Sequence, residues 1–451
     1  MANTGKDTHH VATDSSPRND ASSNETLTHA PEGLMDALII RGGRKLSGRV
    51  EISGAKNAAL PVMAATLLTP GVHTLRNVPH LSDTRTMARV LEKLGARVEF
   101  RGRVCKIDTS NVNSVEAPYD LVRTMRASIY VLGPLLARFG GARVSLPGGC
   151  AWVPRPVNLH LEGLNAMNAN LDIEHGYIVG KDVKLEGATY NFENVSVGAT
   201  AQLMMAATLA QGMTVLENVA LEPDITALGE VLTGCGARIE GLGTRRLTIH
   251  GVRELRPIDT TIIPDRIEAA TFLAAAAITG GSITLECCEA GDMAAVVYKL
   301  EECGCEVLPN SPDVSITGPV RPSSLNIKTA PFPGFPTDMQ AQIMALCAVA
   351  EGTSVITDTV YLDRFTHVPE LARLGADIRL EQNTAIVTGV ESLQGAPVMA
   401  TDIRASAALV IAALAAEGET RISRIYHLDR GYEELDQKLV KLGASVERVR
   451  E

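Results

Sequence analysis

Residues 91–98 read LEKLGARV, a helical stretch that runs into a glycine and then into a β-like segment. A similar stretch begins at five later positions, 68 to 73 residues apart: Leu164, Leu232, Leu300, Leu371 and Leu439. Self-similarity at a fixed period indicates repeated supersecondary units. The glycine favours a left-handed cap that ends a helix, and the alternating apolar residues after it favour a strand.

Another repeated pattern precedes these stretches, in which an Ala- and Leu-rich run meets a glycine and a short β-rich segment. Examples are ATLAQGMTVLENVAL at 207–221 and LAAEGETRISRIYHL at 414–428. Each unit therefore combines helices and strands over about 70 residues. Because an open solenoid usually has short, near-identical repeats, six long and diverged units favour two closed groups of three. We expect an α/β protein with two such domains.

The domain boundaries follow from the positions of the repeats. We expect residues 56–263 to form the domain of the first three units, which carries the Cys150 loop. We expect residues 34–55 and 264–451 to form the other, with the strands of 34–55 pairing with the C-terminal half. Residues 1–33 are polar and lack the apolar core of a signal peptide, so we expect a disordered tail.

Composition excludes several classes of function. The net charge of −10 argues against broad nucleic-acid binding, which needs a basic surface. No apolar run has the length needed to span a membrane. The eight cysteines form no C-x-x-C pair and no zinc-like spacing with histidines, so the sequence predicts no metal site. Except for Cys150, they are expected to be mostly buried, reduced thiols of a cytosolic protein.

The stretch SLPGGCAWVPRPVNLH, residues 145–160, lies in the least regular repeat, where Asn168 replaces the usual glycine. The stretch alone leaves two interpretations of Cys150 open: a reactive thiol on a loop, or a buried residue beside a tight turn. Arg155 could lower the pKa of that thiol if the loop folds back on itself.

Positively charged residues stand where apolar helical runs begin, although a cation there opposes the helix dipole. The set consists of Lys56, Arg126, Arg266 and Arg404, with Arg430 in YHLDRGYEEL. The alternative is a solvated lysine for Lys56 and a salt bridge to a neighbouring Asp for each arginine, but the set together predicts helix starts that converge on an anion. Asp338 follows a Pro- and Gly-rich approach, and is either an N-cap or a catalytic base.

Eight stretches, in order over about residues 36–450, together resemble the UDP-N-acetylglucosamine 1-carboxyvinyltransferases, a group of enolpyruvyl transferases. They are SGAKNAAL, TMRASIY, LPGGC with RPVNLH, SVGAT, FPTDMQAQ, RFTHVPEL, ATDIRASA and IYHLDRGYE. The resemblance implies a two-domain inside-out α/β barrel, each domain having three βαβαββ units. It implies no metal or organic cofactor, and a cytoplasmic enzyme of peptidoglycan synthesis.

The reaction that this resemblance implies is transfer of the enolpyruvyl group of phosphoenolpyruvate to the 3′-hydroxyl of UDP-N-acetylglucosamine. Phosphate is released by addition, through a tetrahedral ketal, and then elimination. Cys150 is the implied acid that protonates the methylene carbon, and Asp338 the implied base for the hydroxyl proton. Lys56 and Arg430 complete the implied catalytic set.

The resemblance also implies two groups of binding residues. For phosphoenolpyruvate they are Lys56, Asn57, Arg126, Arg155, Arg364, Arg404 and Arg430. For UDP-N-acetylglucosamine they are Asn57, Arg126, Arg155, Pro156, Val157, Asn158, Leu159, His160, Ser196, Val197, Gly198, Asp338 and Val360. Arginine suits both substrates because its planar guanidinium binds carboxylate or phosphate bidentately.

The chain departs from the family pattern at a few positions. The common loop GGC-x-I-G-x-RP here loses a glycine and gains Trp152 and Pro154, while Asn158 and Asn194 replace an Asp and a Lys found in other members. Two other functions stay open: the same transfer to another acceptor, such as shikimate 3-phosphate or a free nucleotide, and a non-enzymatic scaffold that binds a protein. The enolpyruvyl transferase predicts closure of two domains on UDP-N-acetylglucosamine and alkylation of Cys150 by fosfomycin.

Overall fold

The computed structural model describes residues 36–123, 125–146 and 157–450. The tail predicted for residues 1–33 lies outside these ranges, and so do Cys150, Trp152, Pro154, Arg155 and Pro156 of the predicted loop. Two strands open the described chain, β1 (Asp36–Arg41) and β2 (Ser47–Glu51).

The next part of the chain contains the first three repeats. Its elements are α1 (Lys56–Ala65), β3 (Val72–Arg76), α2 (Ser82–Lys93), β4 (Arg97–Arg101), β5 (Val104–Asp108), β6 (Glu116–Ala117), α3 (Tyr119–Val122), α4 (Leu132–Phe139), β7 (Ala142–Ser145), α5 (Asn158–Ala166), β8 (Asp172–Glu174), β9 (Tyr177–Gly180), β10 (Thr189–Asn191), α6 (Val197–Ala207), β11 (Met213–Glu217), α7 (Pro223–Gly234), β12 (Arg238–Glu240), β13 (Arg246–His250) and β14 (Asp259–Thr261). Short 3₁₀ turns follow α1 and precede α4, at Thr66–Leu68 and Arg126–Val131.

The last three repeats follow in the same style. Their elements are α8 (Arg266–Thr279), β15 (Ser282–Glu286), α9 (Ala294–Glu302), β16 (Glu306–Asn310), β17 (Asp313–Thr317), β18 (Asn326–Lys328), α10 (Gln340–Cys347), β19 (Thr353–Thr357), α11 (Val368–Arg373), β20 (Asp377–Glu381), β21 (Thr384–Thr388), β22 (Pro397–Met399), α12 (Ile403–Ala415), β23 (Glu419–Ser423), α13 (Leu435–Lys441) and β24 (Ser445–Arg450). Their 3₁₀ turns are Ala290–Met293, Thr337–Met339 and Ile425–Arg430.

The described strands form six four-stranded sheets with one plan. In the sheet of β10, β11, β13 and β12, for example, a parallel pair of strands joins an antiparallel hairpin. The first strand of two sheets comes from a distant part of the chain, because β14 pairs with β3 and β2 pairs with β15. In the sixth sheet, β1 lies between β23 and β24. The N-terminal strands therefore complete sheets of the last three repeats.

The chain passes twice between the two groups of three sheets, at residues 53–55 and at residues 263–265, and these two segments pair with each other. The N–H of Ala55 donates to the carbonyl of Ile263 at 2.7 Å, and that of Asp265 donates to the carbonyl of Ser53 at 2.8 Å. A Cβ on Gly54 would lie 1.8 Å from the carbonyl oxygen of Asn77. Only glycine fits at this point of the crossing.

The helix caps predicted from the repeats are confirmed. The cap position has φ between 92° and 107° at Gly95, Gly236, Gly304, Gly375 and Gly443, and 66° at Asn168. In all six repeats the leading leucine carbonyl accepts the N–H of the residue after the cap, at 3.0 to 3.2 Å. This is the bond pattern of a Schellman motif, which explains why the repeat is so recognisable in sequence. Asn168 fits because asparagine tolerates the left-handed region.

The sheets lie outside buried helices, and each group of three repeats has its own apolar core. Residues between 55 and 262 form one core, and residues 38–52 with 267–444 form the other. In the second core α8, α10 and α12 pack on one another, and every residue of Ile267–Ile278 is buried. Alanine is frequent in these helices because small side chains let helix axes approach closely. The first core shows the same close approach, since a Cβ at Gly133 of α4 would lie 2.8 Å from the carbonyl oxygen of Gln202 of α6.

Seven cysteines lie in the described ranges, and all are free thiols. Six are buried, as predicted, and Cys287 is exposed. In the same part of the chain, no three His, Cys, Asp or Glu side chains are placed to hold a metal ion. None of the helices described is long and apolar enough to cross a bilayer.

Candidate active site

A buried aspartate joins cations from the two halves of the chain. Asp83 lies in the first turn of α2, and its Oδ2 is 3.3 Å from Nζ of Lys56, at the start of α1. Its Oδ1 is 2.9 Å from Nε of Arg430, at the end of the turn Ile425–Arg430. We call Lys56, Asp83 and Arg430 the Asp83 cluster.

Burial sets the electrostatics of Lys56, of which only 8% is exposed. Loss of hydration lowers the pKa of its ammonium, Asp83 opposes this, and the positive charges of Arg404 and Arg430 lower the pKa further. The contribution of Arg404 shows that the Asp83 cluster lies within electrostatic range of a second group of charges.

That second group surrounds Asp338, on the 3₁₀ turn Thr337–Met339. Its Oδ1 lies 2.7 Å from Nη1 of Arg364, and its Oδ2 lies 2.8 Å from Nη2 of Arg404, in the first turn of α12. Burial raises the pKa of Asp338, but the charges and hydrogen bonds of Arg404 and Arg364 more than offset this and hold it well below its usual range. We call Asp338, Arg364 and Arg404 the Asp338 cluster.

Tyr432 ties the Asp338 cluster to the core of the last three repeats. Its hydroxyl lies 3.2 Å from Nη1 of Arg404, 3.0 Å from the hydroxyl of Thr271 and 3.2 Å from Nε2 of Gln342. The guanidinium also lies over the Tyr432 ring, 5.6 Å from its centroid. Arg404, itself 5% exposed, is therefore held rigidly.

Asp358 braces the loop beside Asp338. This buried carboxylate accepts hydrogen bonds from the hydroxyl of Thr337 at 2.6 Å and from the N–H groups of Val360 at 3.0 Å and Tyr361 at 2.8 Å. Val360, one of the predicted nucleotide contacts, thus lies on a loop fixed to the turn of Asp338. Its side chain is 43% exposed, which leaves it available to a ligand.

The predicted nucleotide residues of the first half gather at the start of α6. Ser196 caps this helix by accepting the N–H of Ala199 at 3.2 Å, and a Cβ on Gly198 would lie 3.2 Å from Nε2 of His160. Burial lowers the pKa of His160 to about 4, although a hydrogen bond from its Nδ1 to Gln202 opposes this. His160 is therefore neutral at pH 7 and packs beside the first N–H groups of α6.

Three other predicted binding residues lie outside the two clusters: Asn57, Asn158 and Arg126. Asn57 is exposed, and so is Asn158, whose amide donates to Glu162 at 3.3 Å. The positive charge of Arg126 lowers the pKa of His160, which places Arg126 near that predicted nucleotide residue.

The structure brings Lys56, Arg404 and Arg430 together, and each of the three also has a carboxylate partner, Asp83 or Asp338. Arg266 pairs instead with Asp224, with 3.9 Å between Nε and Oδ2. The alternative of an ion pair therefore describes Arg266, and it also applies to Arg404 and Arg430.

Sequence reasoning missed three residues that organise these clusters: Asp83, Asp358 and Tyr432. Asp83 and Asp358 lie in ordinary-looking polar segments after a strand, LSDT and TDTV, where a carboxylate is common for local reasons. Tyr432 lies inside the quoted stretch IYHLDRGYE, which was the one signal that could have found it.

Comparison with known proteins agrees with this fold. The family model described as EPSP synthase (3-phosphoshikimate 1-carboxyvinyltransferase) matches residues 40–439. A UDP-N-acetylglucosamine 1-carboxyvinyltransferase of Geobacter metallireducens is 58% identical over 417 residues, which are 92% of this chain and 100% of that protein. One of Myxococcus xanthus is 52% identical over 92% of this chain and 99% of its own length.

Solved structures show the same architecture. The enolpyruvyl transferase NikO from Streptomyces tendae has a TM-score of 0.84 and 28% identity, over 92% of this chain and 99% of that one. EPSP synthase from Acinetobacter baumannii has a TM-score of 0.72 at 16% identity, over 92% and 100%, and so supports the fold alone.

Six helix-and-sheet units with cations at the starts of buried helices define an enolpyruvyl transferase with the two-domain inside-out α/β barrel. The chain belongs to the EPSP synthase family of carboxyvinyltransferases. Within that family it is similar to the UDP-N-acetylglucosamine 1-carboxyvinyltransferases named above.

Proposed function

We propose that this chain transfers the enolpyruvyl group of phosphoenolpyruvate to the 3′-hydroxyl of UDP-N-acetylglucosamine with release of phosphate, the first committed step of peptidoglycan synthesis. The observation that carries the proposal is the pair of adjacent cationic clusters built on Asp83 and Asp338. A small dianionic or trianionic substrate needs such fixed charges, and their preorganisation also stabilises an anionic transition state. The similarity to named relatives supports the choice of acceptor.

The two clusters suit the two ends of phosphoenolpyruvate. We assign the phosphate to Lys56, Arg126, Arg155 and Arg430, and the carboxylate to Arg364 and Arg404. An arginine already paired with an aspartate has N–H donors left over, because guanidinium carries five. Substrate can therefore bind without first breaking the pairs with Asp83 and Asp338.

We assign proton transfer to two residues, one that accepts a proton and one that donates a proton. Asp338 is ionised in the free protein and accepts the proton of the sugar hydroxyl as its oxygen attacks the substituted carbon of phosphoenolpyruvate. Cys150, which lies outside the described residues, is the proposed donor to the methylene carbon. Elimination then removes a proton from that carbon and expels phosphate, so that the double bond reforms in the product.

The nucleotide side uses the other predicted residues. We assign the diphosphate to the start of α6, at Ser196, Val197 and Gly198, where free N–H groups and the helix dipole favour anions. Residues 155–160 and Val360 are proposed to contact the nucleotide, and Asn57 the sugar. The low pKa of His160 supports a role as a neutral hydrogen-bonding group.

Two further assignments accompany this function. We propose domains of residues 56–263 and of 34–55 with 264–451, a division that the two separate apolar cores support. We also propose a cytoplasmic location, since the free thiols suit a reducing compartment; Cys303 and Cys305 stay unbonded with their sulfurs 3.8 Å apart.

Phosphate release in the presence of both substrates tests the function. We expect release only when phosphoenolpyruvate and UDP-N-acetylglucosamine are both present, and loss of turnover in Cys150→Ser. Shikimate 3-phosphate and a free nucleotide serve as comparison acceptors. Faster release with either of them would contradict the proposed acceptor, and full activity after prolonged incubation with excess fosfomycin would contradict a reactive Cys150.

A further inference from the structure

Glu433 lies three residues after Arg430 and joins that segment to the first half of the chain. Its Oε2 accepts the hydroxyl of Ser53 at 2.6 Å and lies 2.9 Å from Nη2 of Arg103. Its Oε1 accepts the backbone N–H of His80 at 2.6 Å. Only 4% of the side chain is exposed, so these bonds are shielded from water.

The carboxylate of Glu433 is kept charged by its surroundings. Burial raises its pKa, but the hydrogen bonds from His80 and Ser53 and the charges of Arg103 and Lys438 lower the pKa below its ordinary value. Hydrogen bonds to an ionised acceptor are roughly twice as strong as neutral ones, so three donors on one carboxylate fix it firmly.

Tyr432, the residue before Glu433, contacts the last three repeats instead of the first half of the chain. Tyr432 is 2% exposed and its hydroxyl contacts Thr271, Gln342 and Arg404 of the last three repeats. The two adjacent side chains therefore bind the same short segment to both halves of the chain. Arg430 lies directly before this doubly fixed segment.

Glu433 and Arg430 contact the same small region of the first half. Arg430 pairs with Asp83 in the first turn of α2, and Glu433 binds the N–H of His80, three residues earlier. One contact alone would let the turn rotate about it, whereas two contacts set its orientation. Asp83 also pairs with Lys56, so the orientation of the turn determines the spacing of the two cations.

We propose that Glu433 is a positioning residue, which sets Arg430 against Lys56 so that the two cations share one phosphate group. This rests on the proposed transfer reaction, in which these cations bind the phosphate of phosphoenolpyruvate. Glu433 does not touch the substrate in this scheme and acts only through Arg430.

Steady-state kinetics of Glu433→Gln test this, with Glu434→Gln as the matched control because Glu434 is its exposed neighbour. We expect kcat/KM for phosphoenolpyruvate to fall by about tenfold to a hundredfold, since small misplacements of a binding group have effects of this size. KM for UDP-N-acetylglucosamine should change less than twofold, and the control should match the unaltered protein.

A double-mutant cycle separates positioning from general damage. In an Arg430→Lys background, Glu433→Gln should reduce kcat/KM by less than about twofold, because the group that it positions is already altered. An equal loss in both backgrounds would overturn the proposal, and so would a loss below twofold in the unaltered background.

Hydrogen exchange on the substrate-free protein gives a readout that needs no turnover. Peptides from 425–433 and 80–86 should exchange faster in Glu433→Gln, while α12 stays protected. Unchanged exchange contradicts the role of Glu433, whereas absence of phosphate release by the unaltered protein contradicts the proposed function. If Glu433→Gln does not fold, Arg103→Gln is the second variant, because it removes a partner of Glu433 whose side chain is 32% exposed. We expect it to lower kcat/KM for phosphoenolpyruvate by a smaller factor. An unchanged kcat/KM would overturn the proposal.

Discussion

Asp338 shows how partners far away in sequence set the environment of a proposed catalytic residue. The sequence around it offers no nearby cation, and an N-cap was as reasonable as a base. Arg364 and Arg404 arrive from 26 and 66 positions along the chain, as their ion pairs at 2.7 and 2.8 Å show. They hold the pKa of Asp338 well below its usual range, so this carboxylate is ionised at neutral pH but is a weaker base than a free aspartate.

We expect Asp338→Asn to lower kcat by about a hundredfold to ten-thousandfold, the usual contribution of general acid–base catalysis. The amide keeps the size of the side chain but cannot take a proton. Phosphate release under saturating substrates measures the effect. Asp377→Asn, an exposed change on β20, is the control and should leave kcat unchanged. Equal rates in the two variants would contradict the role of Asp338.

Asp83→Asn tests the electrostatics of Lys56. Asp83 is the group that favours the ammonium against burial and the two nearby arginines, so its removal should lower the pKa of Lys56 further. Because the charged form binds phosphate, the alkaline limb of kcat/KM for phosphoenolpyruvate should move to lower pH.

A pH–rate profile from pH 6 to 11 measures this limb of the Asp83→Asn variant, with the substrate and buffer ions held constant. Asp120→Asn is the matched control, since the Asp120 side chain is 87% exposed on the short helix α3. An alkaline limb that stays in place or moves upward in Asp83→Asn would show that Asp83 does not stabilise the charged lysine.

Among the elements, the glycine that follows each second helix carries the predictive power of the repeat. The positive φ and the leucine carbonyl bond recur in all six units, with Asn168 in place of the glycine in the second, and this made the units visible in sequence. The strand pairings across the chain were harder to foresee. Nothing local in β14 indicates that it pairs with β3, about 185 residues earlier, because parallel pairing depends on how the units close.

Gly236→Ala tests how much the left-handed cap position destabilises a residue that has a side chain, with Gly234→Ala as the control. Gly236 has a φ of 107°, and a Cβ there would meet nothing within 4 Å, so the cost should come from the backbone alone. We expect about 1–2 kcal/mol of lost stability, the usual cost of a left-handed conformation for a residue with a side chain. Gly234→Ala, also in open space but at the end of helix α7, should be neutral or stabilising. Urea unfolding would measure both, and equal effects would contradict a cost set by φ.

At the scale of the whole molecule, the repeats predicted six units in two groups, and the described structure has six sheets on one plan. The proposed catalytic arrangement could not be predicted from the repeats. Lys56 and Arg430 are 374 positions apart and meet at Asp83 only because two short segments cross and pair, at Ser53 with Asp265 and at Ala55 with Ile263. Periodicity indicates each unit, but it carries no information about which helix starts will face one another.

The paired crossing segments also suggest how the molecule moves. The two paired connections should act as a hinge, because the two proposed domains can rotate about them more readily than they can separate. A ligand that binds both domains should favour the closed arrangement. We expect UDP-N-acetylglucosamine to reduce the radius of gyration by a few per cent of about 22 Å, the value for a compact chain of this length. Small-angle scattering measures this, with uridine monophosphate as the control because it lacks the N-acetylglucosamine that is proposed to reach Asp338. Compaction with the control ligand alone, or none with the sugar nucleotide, would contradict closure driven by contacts on both domains.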